Sequence, residues 1–323
     1  MLPSEPIKVS IVCITYNQAK YLEDTLNGFV NQVTNFKYEI IIHDDASSDE
    51  TLDIIYSYQK AYPELFKVIA QAVNQYSQNV DLPLLNCFDL IQGKYVAFCE
   101  GDDFWTDKNK LQTQTDFLDS NPDYGLVFTD FDVLYQVTGL KKKACFNNFP
   151  HRYPLATEFN KFLVARSYMA PCTWLMRREY IYRPKNQVLD ATFCWLLDVL
   201  SVTKIHYIDR VTTTYRVLEE SASHSKSYEK MLTRENDILA AQLRYAKEFN
   251  CGFDLIEDIR INHINKTAHL KISLGEKSEI RGWWLDFTKL NYRTKILLIL
   301  SLLPLSNLLI KVIYRYKNLF KRV

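Results

Sequence analysis

Four short apolar runs, at residues 9–14, 38–42, 66–70 and 95–99, are separated by segments with helical spacing at 20–32, 47–62 and 82–92. Runs of that length read as strands, and strands alternating with helices build a parallel sheet covered by helices. No other feature restricts the fold as much. Two of the runs lead into acids: Asp44-Asp45 after the second and Glu100-Gly101-Asp102-Asp103 after the fourth. Carboxylates just past parallel strands gather at one sheet edge, where open α/β folds bind their ligands. Crowded like charges repel. A divalent cation and a hydrogen-bonding ligand between them relieve that repulsion. The pattern points to a site for a metal-bound nucleotide diphosphate.

The turn after the first strand, Thr15-Tyr16-Asn17, opens neither a G-x-G-x-x-G nor a P-loop, and the chain has only 8 glycines. Without a glycine cradle, phosphate charge has to be neutralised otherwise, and a carboxylate-held Mg²⁺ or Mn²⁺ is the simplest substitute. Asp44 and Asp45 are placed to accept hydrogen bonds from a base or a ribose. Their plainer role, complementing a helix N-terminus, is already filled by Asp49 and Glu50. For Asp102 and Asp103 the plainer role is a polar turn with an Asp cap.

Ser47-x-x-Glu50 has the capping-box pattern, and Pro63 closes the helix it opens. From Lys110 the alternation loosens. A helix at 110–120, strands at 126–129, 173–176 and 205–208, an irregular basic and aromatic stretch at 140–153 and an apolar helix at 191–202 are expected. Residues 227–250 and 254–273 read as long amphipathic helices. The expected organisation is an α/β domain over 1–225 and a helical region over 226–323.

With 323 residues, 47% apolar, the chain can bury one large core plus an appendage. A net charge of +1 argues against a general nucleic-acid binder. The seven cysteines form no C-x-x-C pair, and Cys13, Cys99 and Cys194 lie in apolar runs, which suits a reducing compartment. Residues 1–6 lack the charged and apolar regions of a secretory signal. Residues 296–310 are apolar but interrupted by Pro304, Ser306 and Asn307, and Lys311, Arg315, Lys317, Lys321 and Arg322 follow among aromatics. That run is too short to span a bilayer. We expect residues 296–323 to form an interfacial anchor on the cytoplasmic face of a membrane, the alternative being a helix docked on the domain.

Val9-Ser-Ile-Val-Cys-Ile-Thr-Tyr-Asn17, Asp44-Asp-Ala-Ser-Ser-Asp-Glu-Thr51 and Glu100-Gly-Asp-Asp-Phe-Trp105 together resemble family 2 glycosyltransferases of the GT-A fold, over roughly residues 7–225. The resemblance implies a Rossmann-like α/β fold with a mixed, mostly parallel sheet flanked by helices and followed by a helical extension. It implies a nucleotide-sugar donor, commonly a UDP-sugar, with Thr15, Tyr16, Asn17, Asp44 and Asp45 near the nucleotide. Asp102 and Asp103 would form the D-x-D-type metal and ribose site, with Asp103 as metal ligand. Ala46 stands where the family often has glycine. Asp190, at the start of an apolar helix, matches the catalytic base, with Asp198 as runner-up and a plain N-cap as the other reading of Asp190. Trp174, in a segment resembling the acceptor side, either stacks on a sugar or belongs to the core. Tyr215-Arg216 and Ser221-Ala-Ser-His224-Ser225 resemble a closing loop. There Arg216 pairs with diphosphate, and His224 either completes the metal shell or is a solvated loop histidine. Asn74 lines the nucleotide pocket.

These readings describe an inverting transferase that acts on a saccharide or lipid-linked saccharide acceptor. Two others compete. A nucleotidyltransferase also uses carboxylates and Mg²⁺, but the first turn lacks the basic phosphate-binding signature that would favour it. A non-catalytic sugar-binding relative would have lost the metal acids or the base, and Asp103 and Asp190 are present.

Overall fold

The computed structural model describes residues 5–181, 191–218 and 227–303, together with Leu308 and Ile310. The first half alternates as expected: β1 (Ile7–Thr15), α1 (Ala19–Val30), β2 (Lys37–Asp44), α2 (Thr51–Ala61), β3 (Phe66–Ala70), α3 (Leu82–Phe88) and β4 (Tyr95–Phe98). Then come β5 (Phe104–Trp105), α4 (Lys110–Ser120), β6 (Tyr124–Tyr135), β7 (Leu140–Lys142), α5 (Cys145–Asn148), α6 (Phe159–Ala165), β8 (Leu175–Arg177), α7 (Ala191–Val202) and β9 (Lys204–Val217). The remaining helices are α8 (Tyr228–Glu248), α9 (Phe253–Leu274), α10 (Lys277–Gly282) and α11 (Tyr292–Ser301), with a 3₁₀ segment, Trp283–Lys289, before α11.

Among the described residues the nine strands form one sheet in the order β3-β2-β1-β4-β8-β6-β9-β5, with β7 paired to β6. It is parallel through β3-β2-β1-β4 and between β6 and β9. It turns antiparallel at β8, β5 and β7. Ile11, Val12 and Cys13 in β1 and Ile40, Ile41 and Ile42 in β2 are all buried, the continuous apolar pattern of strands covered on both faces. Leu22, Leu26 and Phe29 form the buried stripe of α1. Register then sets the site: Thr15 pairs with Asp44, and the Gly101 N–H donates to the Ile14 carbonyl at 3.1 Å. Both acid turns therefore leave the same edge of the sheet.

Several expectations change. Ser47 does not cap α2, whose N-cap Glu50 makes no side-chain capping bond. The Ser47 hydroxyl and N–H donate instead to the Asp44 carboxylate at 2.5 and 3.1 Å. β6 and β9 are much longer than the apolar runs that announced them, because several polar residues within them are buried and paired in place. Asp130 accepts the Phe131 and Phe146 N–H groups at 2.8 and 2.9 Å, and the Thr129 and Thr212 hydroxyls pair at 2.7 Å. Tyr215 and Arg216 consequently lie in a strand, not in a loop. The stretch at 140–153, expected to be irregular, holds β7 and α5.

The chain divides into two compact units. One comprises Met1–Glu158, Ser167–Asn186 and Trp195–Leu218; the other comprises Phe159–Arg166, Gln187–Cys194 and Glu219–Val323. Where a single cut near residue 225 was expected, 159–166 and 187–194 also group with the C-terminal helices. The second unit has its own core, in which Ile261, Ile264, Ala268 and Ile272 of α9 pack with Trp283, Leu290, Leu297 and Leu298. Among the described residues no helix is long and apolar enough to cross a membrane.

Candidate active site

The described residues that gather here belong to the first unit, at the carboxyl ends of β1, β2 and β4 and beside the end of β9. Asn17, just past β1, has a left-handed backbone (φ 52). Its N–H donates to Ser47 Oγ at 2.9 Å, and its side-chain carbonyl accepts the Ser48 N–H at 2.8 Å. Ala46 is also left-handed (φ 62), the geometry that favours glycine at this position. The first amides of α1 meet protein groups, Gln18 N–H donating to Thr51 Oγ1 at 2.8 Å and Ala19 N–H to Asp49 Oδ2 at 3.1 Å. The helix N-terminus is thus closed by the turn before α2 rather than left as a phosphate nest.

Asp44 and Asp45 are buried. Asp45 accepts the Gln75 N–H at 2.6 Å and the Tyr76 N–H at 3.0 Å, one on each oxygen. Asp44 is engaged by Ser47. Asp44 and Asp45 thereby hold the turn before α2 and the loop after β3 in place. Asn74 belongs to one of those loops, donating to the Asp45 carbonyl at 3.3 Å and accepting the Ser77 N–H at 2.7 Å. Tyr16 is half-exposed, while Thr15 is buried with a hydroxyl that has no partner among the described residues.

The second acid turn is fixed from below by Thr25 of α1, whose hydroxyl donates to the carbonyls of Gly101 (2.9 Å) and Asp103 (2.6 Å). A Cβ on Gly101 would stand 2.4 Å from Gln18 Oε1 and 3.0 Å from Thr15 Cβ, so a larger residue here displaces the Gln18 side chain. The two aspartates differ. Asp103 is 3% exposed, and its Oδ1 accepts the Arg216 N–H at 2.8 Å. Asp102 keeps partial solvent access. Burial, then the charges of Asp102 and Glu100, holds the Asp103 carboxyl well above the usual range. Burial likewise raises Asp102. Glu100, solvent-accessible but closely surrounded by protein, is pushed up to about 7 by desolvation and by Asp102.

Arg216 completes the edge. Its guanidinium lies 4.6 Å from the Phe104 ring and 5.0 Å from the Tyr21 ring, donates to the Asp102 carbonyl at 3.1 Å and pairs with the Asp24 carboxylate. Its Nε and the Thr214 hydroxyl are buried without partners among the described residues. Tyr21, Asp24 and Gln18 escaped the sequence reading, although their spacing near the start of α1 puts them on one helix face.

Other expected residues fall elsewhere. Asp190 and His224 lie outside the described residues. Asp198 is half-buried in α7, where its carbonyl accepts the Ser201 hydroxyl at 2.7 Å. Trp174 is 0% exposed and packs edge-on against Phe98 and Trp195 at 6.4 and 5.6 Å, so it is a core aromatic and offers no face to a sugar.

The acids suit a divalent cation that brings ligands of its own. Among the described residues no three His, Cys, Asp or Glu side chains are arranged to hold a metal alone. A turn carrying surplus negative charge supplies one or two oxygens, as Mg²⁺ and Mn²⁺ require when phosphate oxygens supply others. The orphaned hydroxyls and guanidinium nitrogen at the same edge are unmet hydrogen-bonding capacity of the kind a polar ligand satisfies.

Comparison with known proteins agrees with this geometry. An uncharacterised Mycobacterium tuberculosis protein, Rv1520, is 41% identical over 128 residues, which cover 40% of this chain and 36% of that protein, so the matched stretch spans about a third of the relative. Among solved structures, S. aureus TarS residues 1–349 in complex with UDP superposes with a TM-score of 0.59 at 18% identity, covering 96% of this chain and 92% of the other. The mannosyltransferase PcManGT from Pyrobaculum calidifontis, in complex with GDP-Man and Mn²⁺, gives 0.56 at 15% identity over 96% and 84%. At these identities the structural likeness is one of fold, and the fold is GT-A. The sequence model of glycosyl transferase family 2 matches residues 10–183, more than half the chain and every strand that ends at the acid turns. The chain belongs to glycosyl transferase family 2.

Proposed function

We propose that this protein is an inverting glycosyltransferase that moves a sugar from a nucleotide diphosphate donor, a UDP-sugar, to a hydroxyl of a saccharide or lipid-linked saccharide. The observation that carries this reading is the convergence of Thr15, Asn17, Asp45, Asp102, Asp103 and Arg216 on one sheet edge, with hydrogen-bonding capacity unspent there. The UDP in the TarS structure is consistent with the donor class.

In this reading Tyr16, Asn17 and Asn74 meet the nucleoside through the loops that Asp44 and Asp45 hold. Arg216 turns its guanidinium from Asp24 to the diphosphate. Asp102, the more accessible aspartate, is the first candidate to hold Mg²⁺ or Mn²⁺. Asp103 supports it from beneath, and His224 stays a candidate for the remaining shell. The cation, when bound, neutralises charge on the departing diphosphate. Asp190 receives the proton of the acceptor hydroxyl as its oxygen bonds to the anomeric carbon and the bond from that carbon to the diphosphate breaks. Asp198 is the alternative base. The acceptor is met at the cytoplasmic face of a membrane that the C-terminal region contacts.

The deciding experiment is a thermal-shift panel of nucleotide sugars with Mn²⁺, followed by transfer assays with Asp190→Asn. A UDP-sugar should stabilise the protein most, and the variant should bind donor without transferring it. No shift with any nucleotide sugar would refute the donor site, and near-normal turnover by the variant would move the base to Asp198.

A further inference from the structure

α11 is apolar on two opposite faces. Thr294, Leu297 and Leu298 are buried, the two leucines in the core with α9. On the other side Tyr292, Ile296 and Ile299 are exposed, and Leu302 and Leu303 continue past the helix end, with Tyr292 80%, Ile299 53% and Leu302 70% accessible. The 3.6-residue period sets 292, 296, 299 and 303 in one stripe. Arg293 and Lys295 fall on its two flanks. On the Lys295 side the surface is continuous with the preceding 3₁₀ segment: Lys295 Nζ lies 5.7 Å from the Phe287 ring, which stacks on Trp284 at 5.1 Å. Leu285, next to Trp284 in the chain, is 90% accessible.

A helix already buried along one side gains nothing in folding from aliphatics along the other. An outward Ile/Leu stripe with aromatics and cations beside it is the composition of a helix lying in a lipid interface. Charge selects the lipid. From Arg281 to Val323 the sequence carries nine Lys or Arg and a single acid, Asp286, while the whole chain is only +1. An anionic membrane attracts each cation near its surface.

We propose that the face formed by Trp284, Leu285, Tyr292, Ile296, Ile299 and Leu303 docks flat on an anionic phospholipid bilayer. This deepens the membrane contact proposed above. It relocates that contact from a detached tail beginning at 296 to the outer surface of the folded helical unit, since Leu297 and Leu298 are held inward. It draws on the second unit alone, so it can fail while the donor site stands.

The test is co-sedimentation of the full chain with vesicles, neutral or containing about a third anionic phospholipid. The wild type should bind the anionic vesicles, release at high salt and show a blue-shifted tryptophan emission on binding. Ile299→Asp and Tyr292→Ser, both on the exposed stripe, should keep the melting temperature and the UDP affinity and lose at least tenfold in vesicle affinity. Equal binding by these variants, or binding to neutral vesicles alone, overturns the proposal. So does a wild type that ignores vesicles but dimerises in sedimentation velocity through the same residues.

Discussion

Arg216 and Asp103, 113 positions apart in the chain, are joined by the Arg216 N–H donating to Asp103 Oδ1 at 2.8 Å. The bond ties the end of β9 to the turn after β4. It leaves the Arg216 side chain over Phe104 and Tyr21, with Asp24 as its ionic partner. The backbone of Arg216 thus organises the acid turn while its buried side chain is held by Asp24, the Asp102 carbonyl and two aromatic rings.

Replacing Arg216 by alanine should weaken UDP binding tenfold to a hundredfold, since charge-assisted hydrogen bonds contribute about 1.5–3 kcal/mol each. Asp24→Asn should change it little, because the Asp24 carboxylate is 60% exposed and such pairs contribute under about 1 kcal/mol. Calorimetry with UDP and Mn²⁺ measures both. Equal losses in the two variants would show that Asp24 is part of the ligand site and not a resting partner.

Asp102 and Asp103 should separate binding from stability. Asp103→Ala leaves the buried Arg216 N–H without its acceptor and should cost about 1–3 kcal/mol in denaturant unfolding. Asp103→Asn, which keeps an acceptor oxygen, should recover most of that. Asp102→Asn should unfold like the wild type yet lose the Mn²⁺ dependence of UDP binding. If Asp103→Asn instead loses that dependence while Asp102→Asn keeps it, the metal ligand is Asp103.

The alternation of strands and helices was legible because residues 7–98 bury their apolar side chains at the periods of the two structures. The acid turns were legible because charge past a buried strand needs a reason. Which of two adjacent aspartates turns inward was not, since that depends on Arg216 arriving from a remote segment. Nor was the length of β6 and β9 visible. Asp130 looks like a strand breaker until the Phe131 and Phe146 amides are in place. Trp174 read equally as a sugar platform or as core, and only packing against Phe98 and Trp195 separates the two.

Lys110 is fully buried, bonded to Gln114 Oε1 at 2.7 Å and lying 4.4 Å from the Trp105 ring. Burial lowers its ammonium from 10.5 to about 7. The unfolded chain therefore holds this proton over a range in which the folded chain has lost it, and stability should rise with pH from about 7 upward. The gain is at most about 1.4 kcal/mol per pH unit. Lys110→Met should flatten that rise relative to the wild type in urea titrations at pH 7, 8 and 9. Parallel curves for the two proteins would show that Lys110 stays protonated in the core.

Ala46 and Asn17 both sit in the left-handed region, at φ 62 and φ 52, where the turns after β2 and β1 meet. Asn17 is suited to that conformation by its side chain, which accepts the Ser48 N–H. Ala46 has no such compensation, and its Cβ carries the roughly 1–2 kcal/mol that an L-residue costs there. Ala46→Gly removes this strain and returns part of the gain through the greater freedom of the unfolded chain, so a net stabilisation of up to about 1 kcal/mol is expected. Ala46→Val, β-branched in the same conformation, should destabilise by more than that. Since this turn holds Asp44 and Ser47 in place, the glycine variant should keep UDP affinity while the valine variant loses some of it. Denaturant midpoints for the three proteins decide the matter: a glycine variant less stable than the wild type would mean that Ala46 does not occupy the left-handed region in solution.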